Sequence, residues 1–220
     1  MHSPIAASTR PASLSLARLV IAFGLATLGA TALASTPTIV DEWAGIKAPA
    51  APELKSATLD PKTTALLMLD FVNPNCTARP RCMATLPAMK KLLADARAKG
   101  MLVVFATVPT SKRSDILPDV APLDSETIVS AGVDKFANAE LEKLLKAAGT
   151  QTVIATGTSA HGAVLYTASA ASLRGLKVVL PVDGISADTA YIEQFVAVHM
   201  STAPLVSRNV TLTKIDLIWF

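Results

Sequence analysis

The sequence has few charged side chains, few cysteines and little net charge. Charged residues make up 17% of the 220 residues and apolar residues 51%, so intrinsic disorder is excluded. The net charge is only +3 and the basic residues are scattered, which excludes the basic patch of a nucleic-acid-binding protein. Two cysteines and ten glycines exclude a disulfide-dense scaffold and a collagen-like chain. The lack of any long internal repeat excludes a solenoid.

A strongly apolar stretch lies near the N-terminus. Residues 1–18 contain two arginines and no acid, residues 19–32 carry no charge, and Ala32, Leu33 and Ala34 then form an A-x-A pattern. This layout predicts a signal peptide over residues 1–34 and a secreted or periplasmic mature protein. The run is short for a membrane span of about 20 residues. No membrane partner is therefore expected once the signal peptide has been cleaved.

The remaining sequence predicts one α/β domain over residues 63–220, preceded by an extended, proline-containing segment over residues 35–62. Continuous apolar runs, which are typical of parallel strands buried on both faces, predict strands at 64–70, 101–107, 152–156, 176–182 and 210–213, with a shorter one at 126–130. Apolar positions spaced three and four apart predict helices at 84–99, 138–149, 161–174 and 188–202. This alternation predicts a three-layer, doubly wound fold with a mainly parallel sheet of about six strands.

Three segments of this domain resemble the isochorismatase-like hydrolases, the family that includes nicotinamidases and related cysteine hydrolases. The segments read ALLMLDF from residue 65, GVDKFANAELEKLL from residue 132, and TVIATGTSAHGAVLYTASAASLRGLKVVLPVDGIS from residue 152. The resemblance covers about residues 60–205. It rests on the order and spacing of the three segments, since none of them is specific alone.

The resemblance implies a catalytic triad of Asp, Lys and Cys. Asp70 falls at the position of the Asp and Lys135 at that of the Lys, while Ala163 occupies the position of the nucleophilic Cys. A non-proline cis peptide bond is implied near Thr158–Ser159. The oxyanion-binding turn then has Thr158, Ser159 and Gly162 as its candidates, and the candidate substrate-binding side chains are Phe71, Phe136 and His161.

Ala163 makes the usual covalent mechanism unavailable at that position, because a methyl group cannot act as a nucleophile. The family's D-x-Q-x-D pattern is also absent after Asp70. Four hypotheses remain open. Asp70 acts as a general acid on an enol ether; Ser159 or Thr158 replaces the cysteine with His161 as base; the pocket binds a small molecule without turnover; or a thiol comes from elsewhere in the chain. Contact with Lys135 is expected to outweigh burial and keep Asp70 ionised.

The last hypothesis concerns Cys76 and Cys82, which lie in the loop after Asp70. One of them could be a relocated nucleophile. A disulfide between them is the favoured interpretation, because the protein is expected to be exported and has no other cysteine.

Neither a cofactor nor a metal is expected. After signal cleavage only His161 and His199 remain, which is too few for a histidine-rich zinc site. The expected partner is a small-molecule ligand or substrate, and a homo-oligomer is left open. The sequence thus predicts an exported hydrolase-like protein that acts on or binds a small carbonyl, amide or enol-ether compound around Asp70 and Lys135. The alternative is a catalytically inactive family member that serves as a small-molecule-binding protein.

Overall fold

The computed structural model describes residues 36–220, so the predicted signal peptide over 1–34 lies outside the described residues. The chain divides into two units after Ile46. The described part of the first unit holds the short helix α1 (Ile39–Glu42) and a 3₁₀ turn at Trp43–Gly45. The second unit, Lys47–Phe220, contains the remaining elements.

The second unit has nine strands. They are β1 (Ala57–Thr58), β2 (Thr64–Leu69), β3 (Leu102–Thr107), β4 (Thr127–Ser130), β5 (Thr152–Thr158), β6 (Lys177–Pro181), β7 (Ile185–Ser186), β8 (Val210–Thr213) and β9 (Ile218–Trp219). Its helices are α2 (Asn73–Cys76), α3 (Pro80–Ala98), α4 (Ala139–Ala147), α5 (Leu165–Leu173) and α6 (Ala190–Thr202). The segment predicted to be extended, 35–62, thus contains α1 and β1.

The main sheet has the order β4-β3-β2-β5-β6-β8, and every pairing along it is parallel. β7 adds to the end of β5 in parallel, while β1 and β9 form a separate two-stranded ribbon. In the centre of the sheet, Leu67 of β2 lies opposite Val104 of β3 and Ala155 of β5. The prediction of a doubly wound, mainly parallel fold is confirmed.

Both faces of the sheet are covered, which explains why its central strands are apolar throughout. All six residues of β2 are buried. Leu67 and Leu69 join the core beneath α4, α5 and α6, while Leu66 and Met68 join the core beneath α3. A strand alternates its side chains between two faces, so a strand with a helix layer on each side needs an uninterrupted apolar run.

Two helices begin where the periodicity does not place them. α3 begins at Pro80 rather than at residue 84, because proline is well accommodated in the first turn, where its missing N–H would have no helical partner. The predicted helix at 161–174 begins instead with a π-helical turn, Ala160–Val164, and becomes regular only at Leu165. Among the described residues, no helix is both long and apolar enough to cross a membrane.

Candidate functional site

The order of the strands places a candidate site at the carboxyl ends of β2 and β5. From β2 the chain moves outward through β3 to β4, then returns to β5 beside β2 and moves the other way to β6 and β8. Ligands of doubly wound sheets bind at the point where the direction reverses. Asp70 directly follows β2 at this point, and the Thr158–Ser159 peptide ends β5.

The backbone of Asp70 turns its carboxylate out of the regular alternation of β2. Its φ angle is +55°, in the left-handed region that few residues other than glycine adopt. The N–H of Asp70 still donates to Ala106 O at 2.9 Å, so the residue remains attached to the sheet while its side chain changes direction. Such a conformation costs about 1–3 kcal/mol and is concentrated at functional sites.

Lys135 reaches Asp70 from a 3₁₀ turn, Lys135–Ala137, that precedes α4. The backbone N–H of Lys135 donates to Thr167 Oγ1 of α5 at 3.1 Å, and that hydroxyl in turn donates to Val133 O at 3.3 Å. The ammonium group donates to Asp70 Oδ1 at 2.8 Å and to Ala131 O at 3.2 Å. α5 therefore fixes the backbone of the lysine, and the carboxylate fixes its charged end.

The Asp70–Lys135 pair is almost sealed from solvent. The side chain of Lys135 is fully buried and that of Asp70 is 5% exposed. Burial raises the pKa of the Asp70 carboxyl above its ordinary value of 3.8, and the hydrogen bond and positive charge of Lys135 only partly offset that rise. The expectation that pairing outweighs burial is wrong, because loss of hydration costs a buried ion several kcal/mol. The raised pKa brings Asp70 closer to the range useful for proton transfer.

The turn after β5 depends on a glycine and contains a cis peptide bond. Gly157 has a φ of +139°, and a Cβ there would overlap the carbonyl oxygen of Leu69. Only glycine therefore lets β5 approach β2 this closely. The peptide bond between Thr158 and Ser159 is cis, at the position implied by the resemblance. Ala163 lies in the following π-helical turn and is 3% exposed.

The structure brings two other candidates together in this turn. Ser159 Oγ and His161 Nδ1 lie 2.9 Å apart, within hydrogen-bonding distance. Ser159 is half-buried and His161 is exposed. Gly162 donates its N–H to Ser159 O at 3.0 Å, which closes the turn.

The two phenylalanine candidates lie on opposite sides of the sheet. Phe71 is 1% exposed and packs in the core beneath α3, while Phe136 is 6% exposed and packs in the other core. The guanidinium of Arg174 lies 4.5 Å from the centre of the Phe136 ring. Both rings are largely enclosed by protein. A substrate-binding role for either of them stays a prediction.

Cys76 and Cys82 form a disulfide, so the described residues hold no free thiol. Both cysteines are fully buried. The hypothesis of a relocated cysteine nucleophile is therefore overturned.

Arg79, to which no sequence motif points, contacts the turn after β5. Its Nη1 lies 3.5 Å from Thr158 Oγ1, and its Nε donates to Asp188 at 2.7 Å. The signal in the sequence is its position between the two cysteines, because the disulfide closes the loop that carries it. A cleft of about 410 Å³ lies beside this loop and is lined by Pro80, Arg81, Ala84, Thr85, Val182, Asp183, Ile185 and Glu193.

The chain matches the family model described as the isochorismatase domain over residues 64–210. No curated protein matches it. Solved structures do match. An isochorismatase family protein from Desulfovibrio vulgaris is 23% identical with a TM-score of 0.62, and the alignment covers 70% of this chain and 95% of that one.

Two further solved structures agree on the fold. A cysteine hydrolase from Pseudomonas syringae is 18% identical with a TM-score of 0.65, covering 75% of this chain and 94% of that one. A nicotinamidase from Staphylococcus aureus is 16% identical with a TM-score of 0.62, covering 70% and 99%. At these identities, the likeness to the solved structures shows a shared fold.

Proposed function

This chain belongs to the isochorismatase family, and from that premise we propose that it hydrolyses small carbonyl, amide or enol-ether compounds without a cysteine nucleophile. The observation that carries the proposal is the contact of 2.8 Å between Lys135 Nζ and Asp70 Oδ1 at the switch point of the sheet. A buried, paired carboxylate with a shifted pKa at a ligand-binding edge of the sheet is typical of an active site. The match to a nicotinamidase structure supports amides as one substrate class.

In this proposal Asp70 transfers the proton and the β5 turn binds the developing negative charge. With the methyl group of Ala163 at the nucleophile position, the carbon–oxygen or carbon–nitrogen bond is cleaved by water or by another side chain. The raised pKa of Asp70 supports its use as a proton donor, which suits an enol ether.

A second candidate function is the binding of a small molecule without turnover. Two observations favour it. The residue that the resemblance aligns with the usual nucleophile, Ala163, has no nucleophilic atom. Asp70 is only 4% exposed, so a substrate would have to displace surrounding groups to reach it. The two functions predict different results in one experiment.

That experiment is a substrate screen of the purified protein against small amides, esters and enol ethers, with Asp70→Asn and Lys135→Met as test variants. Lys91 and Asp95 form an exposed i,i+4 pair on α3, so Lys91→Met serves as a matched control. Turnover that both test variants lose and the control keeps supports the hydrolase. Ligand binding in thermal-shift assays without any turnover supports the binding protein instead.

We also propose that the mature protein is exported. The signal-peptide pattern of residues 1–34 supports this. The Cys76–Cys82 disulfide supports it independently, because disulfides persist in oxidising compartments and are rare in the cytosol.

A further inference from the structure

We propose that Ser159 and His161 form a nucleophile–base pair that cleaves small acyl esters, an assignment that rests on the proposed hydrolase function. The 2.9 Å between Ser159 Oγ and His161 Nδ1 lies within the 2.6–3.2 Å or so expected of an activated nucleophile and its base. For this role Nδ1 accepts the hydroxyl proton and Nε2 carries the ring proton. Among the described residues, this is the one hydrogen-bonding contact between a side-chain hydroxyl and an imidazole ring.

The pair is accessible where the family's usual nucleophile position is not. Ser159 is half-buried and His161 exposed, whereas Ala163 in the same turn is 3% exposed. Gly162 leaves space beside the hydroxyl. A Cβ at that position would lie 3.6 Å from Ser159 Oγ and 3.9 Å from Val133 Cγ1, so a side chain there would occupy the volume that a substrate acyl group needs.

The reaction balances with water as the only co-reactant. His161 Nδ1 takes the proton of Ser159 Oγ as that oxygen bonds to the acyl carbon, and the carbonyl electron pair moves to oxygen. The carbonyl re-forms as the bond to the leaving alkoxide breaks, and the alkoxide takes the proton from His161. Water then repeats the sequence. Its proton passes to His161, its oxygen bonds to the acyl carbon, and Ser159 leaves with the proton, releasing a carboxylic acid.

Esters are the substrate class that this pair suits. No carboxylate contacts His161 among the described residues, so the imidazole lacks the orienting acid of a full triad. Alcohol leaving groups need less protonation than amines do. An imidazole without an orienting acid is therefore better suited to cleaving esters than amides.

The inference is tested on the intact purified protein with two probes, a serine-directed fluorophosphonate and the ester p-nitrophenyl acetate. We expect one fluorophosphonate adduct per chain, located on Ser159 by peptide mass spectrometry, and none on Ser159→Ala. His161→Gln should slow labelling by about 100-fold or more. Ser201→Ala and His199→Gln on α6 are the matched controls and should label at the wild-type rate.

A second variant, which keeps the shape of the turn, distinguishes a loss of reactivity from a failure to fold. Ser159→Cys should become the site of alkylation by iodoacetamide, because the two native cysteines are bonded to each other. An unlabelled Ser159 in protein that melts normally, or an unchanged labelling rate in His161→Gln, would overturn the inference. Ester turnover that survives Ser159→Ala would overturn it while the proposed hydrolase stands. Labelling of Ser159 with no compound turned over, p-nitrophenyl acetate included, would overturn both the ester cleavage and the proposed hydrolase.

Discussion

The Asp70–Lys135 pair allows a quantitative test by a double-mutant cycle of Asp70→Asn, Lys135→Met and the two together. Both variants are close in volume to the native side chains and remove one charge each. We expect each single variant to unfold at clearly lower urea concentration than wild type. The double variant should lose much less than the sum of the two losses, because the partners form one buried unit.

The magnitude follows from the burial of the two groups. Lys135 is fully buried, and Asp70→Asn removes its negatively charged partner, so the ammonium keeps only neutral acceptors such as Ala131 O. Removal of one partner of such a pair costs about 3–5 kcal/mol. Lys135→Met should cost less than Asp70→Asn, since the carboxyl of Asp70 has a raised pKa and can take up a proton instead of remaining an unpaired ion. We expect a coupling energy of about 2 kcal/mol or more.

The measurement is urea unfolding at pH 7, followed by circular dichroism, with the slope of the transition checked for each variant. The exposed pair Lys91–Asp95, with side chains 65% and 47% exposed, supplies the matched cycle. Its coupling should be about 0.3–0.5 kcal/mol. Losses that add to within about 0.5 kcal/mol for Asp70 and Lys135 would refute the reasoning, and the candidate site would lose its main support.

Three further predictions concern pH, the disulfide and export. The raised pKa of Asp70 implies that the stability of wild type relative to Asp70→Asn is greatest below pH 3.8 and falls as the pH rises through the raised pKa; urea unfolding between pH 3 and 7 checks this, and a rise instead would contradict it. Unreduced protein should show no alkylated cysteine by intact mass, and replacing Cys76 and Cys82 by serine should cost about 2 kcal/mol in urea unfolding; two alkylated thiols would disprove the bridge. N-terminal sequencing of periplasmic protein should begin near Ser35, and an intact Met1 on soluble cytoplasmic protein would count against export.

The architecture could be predicted from the sequence because its signals are local and repeated. Runs such as 64–69 are apolar at every position, which distinguishes a strand covered on both faces from one with a solvent face. The helix stripe through Leu141 and Leu145 gives the spacing of α4 in the same way. The boundaries were harder, because they depend on single residues. Pro80 opens α3, and the turn at Ala160–Val164 delays α5.

The resemblance to a family implies that Asp70, Lys135 and Ala163 belong to the candidate site, but their physical state depends on contacts between distant segments. The direction of the Asp70 pKa shift was misjudged because burial is a property of the packed sheet edge, and no residue near Asp70 in the sequence reports it. Arg79 was missed for the same reason, since its partner Thr158 is 79 residues away.

The sequence by itself determined the alternation of strands and helices, the lack of a cysteine at position 163 and the residue types available for chemistry. These follow from side-chain identity and short-range spacing. Only the tertiary structure decided that Asp70 bends into the left-handed region, that Lys135 is sealed against it, and that Ser159 faces His161 in an open turn. Each of these depends on how β2, β5 and α5 pack together, because distances and hydration between segments are set by the fold as a whole.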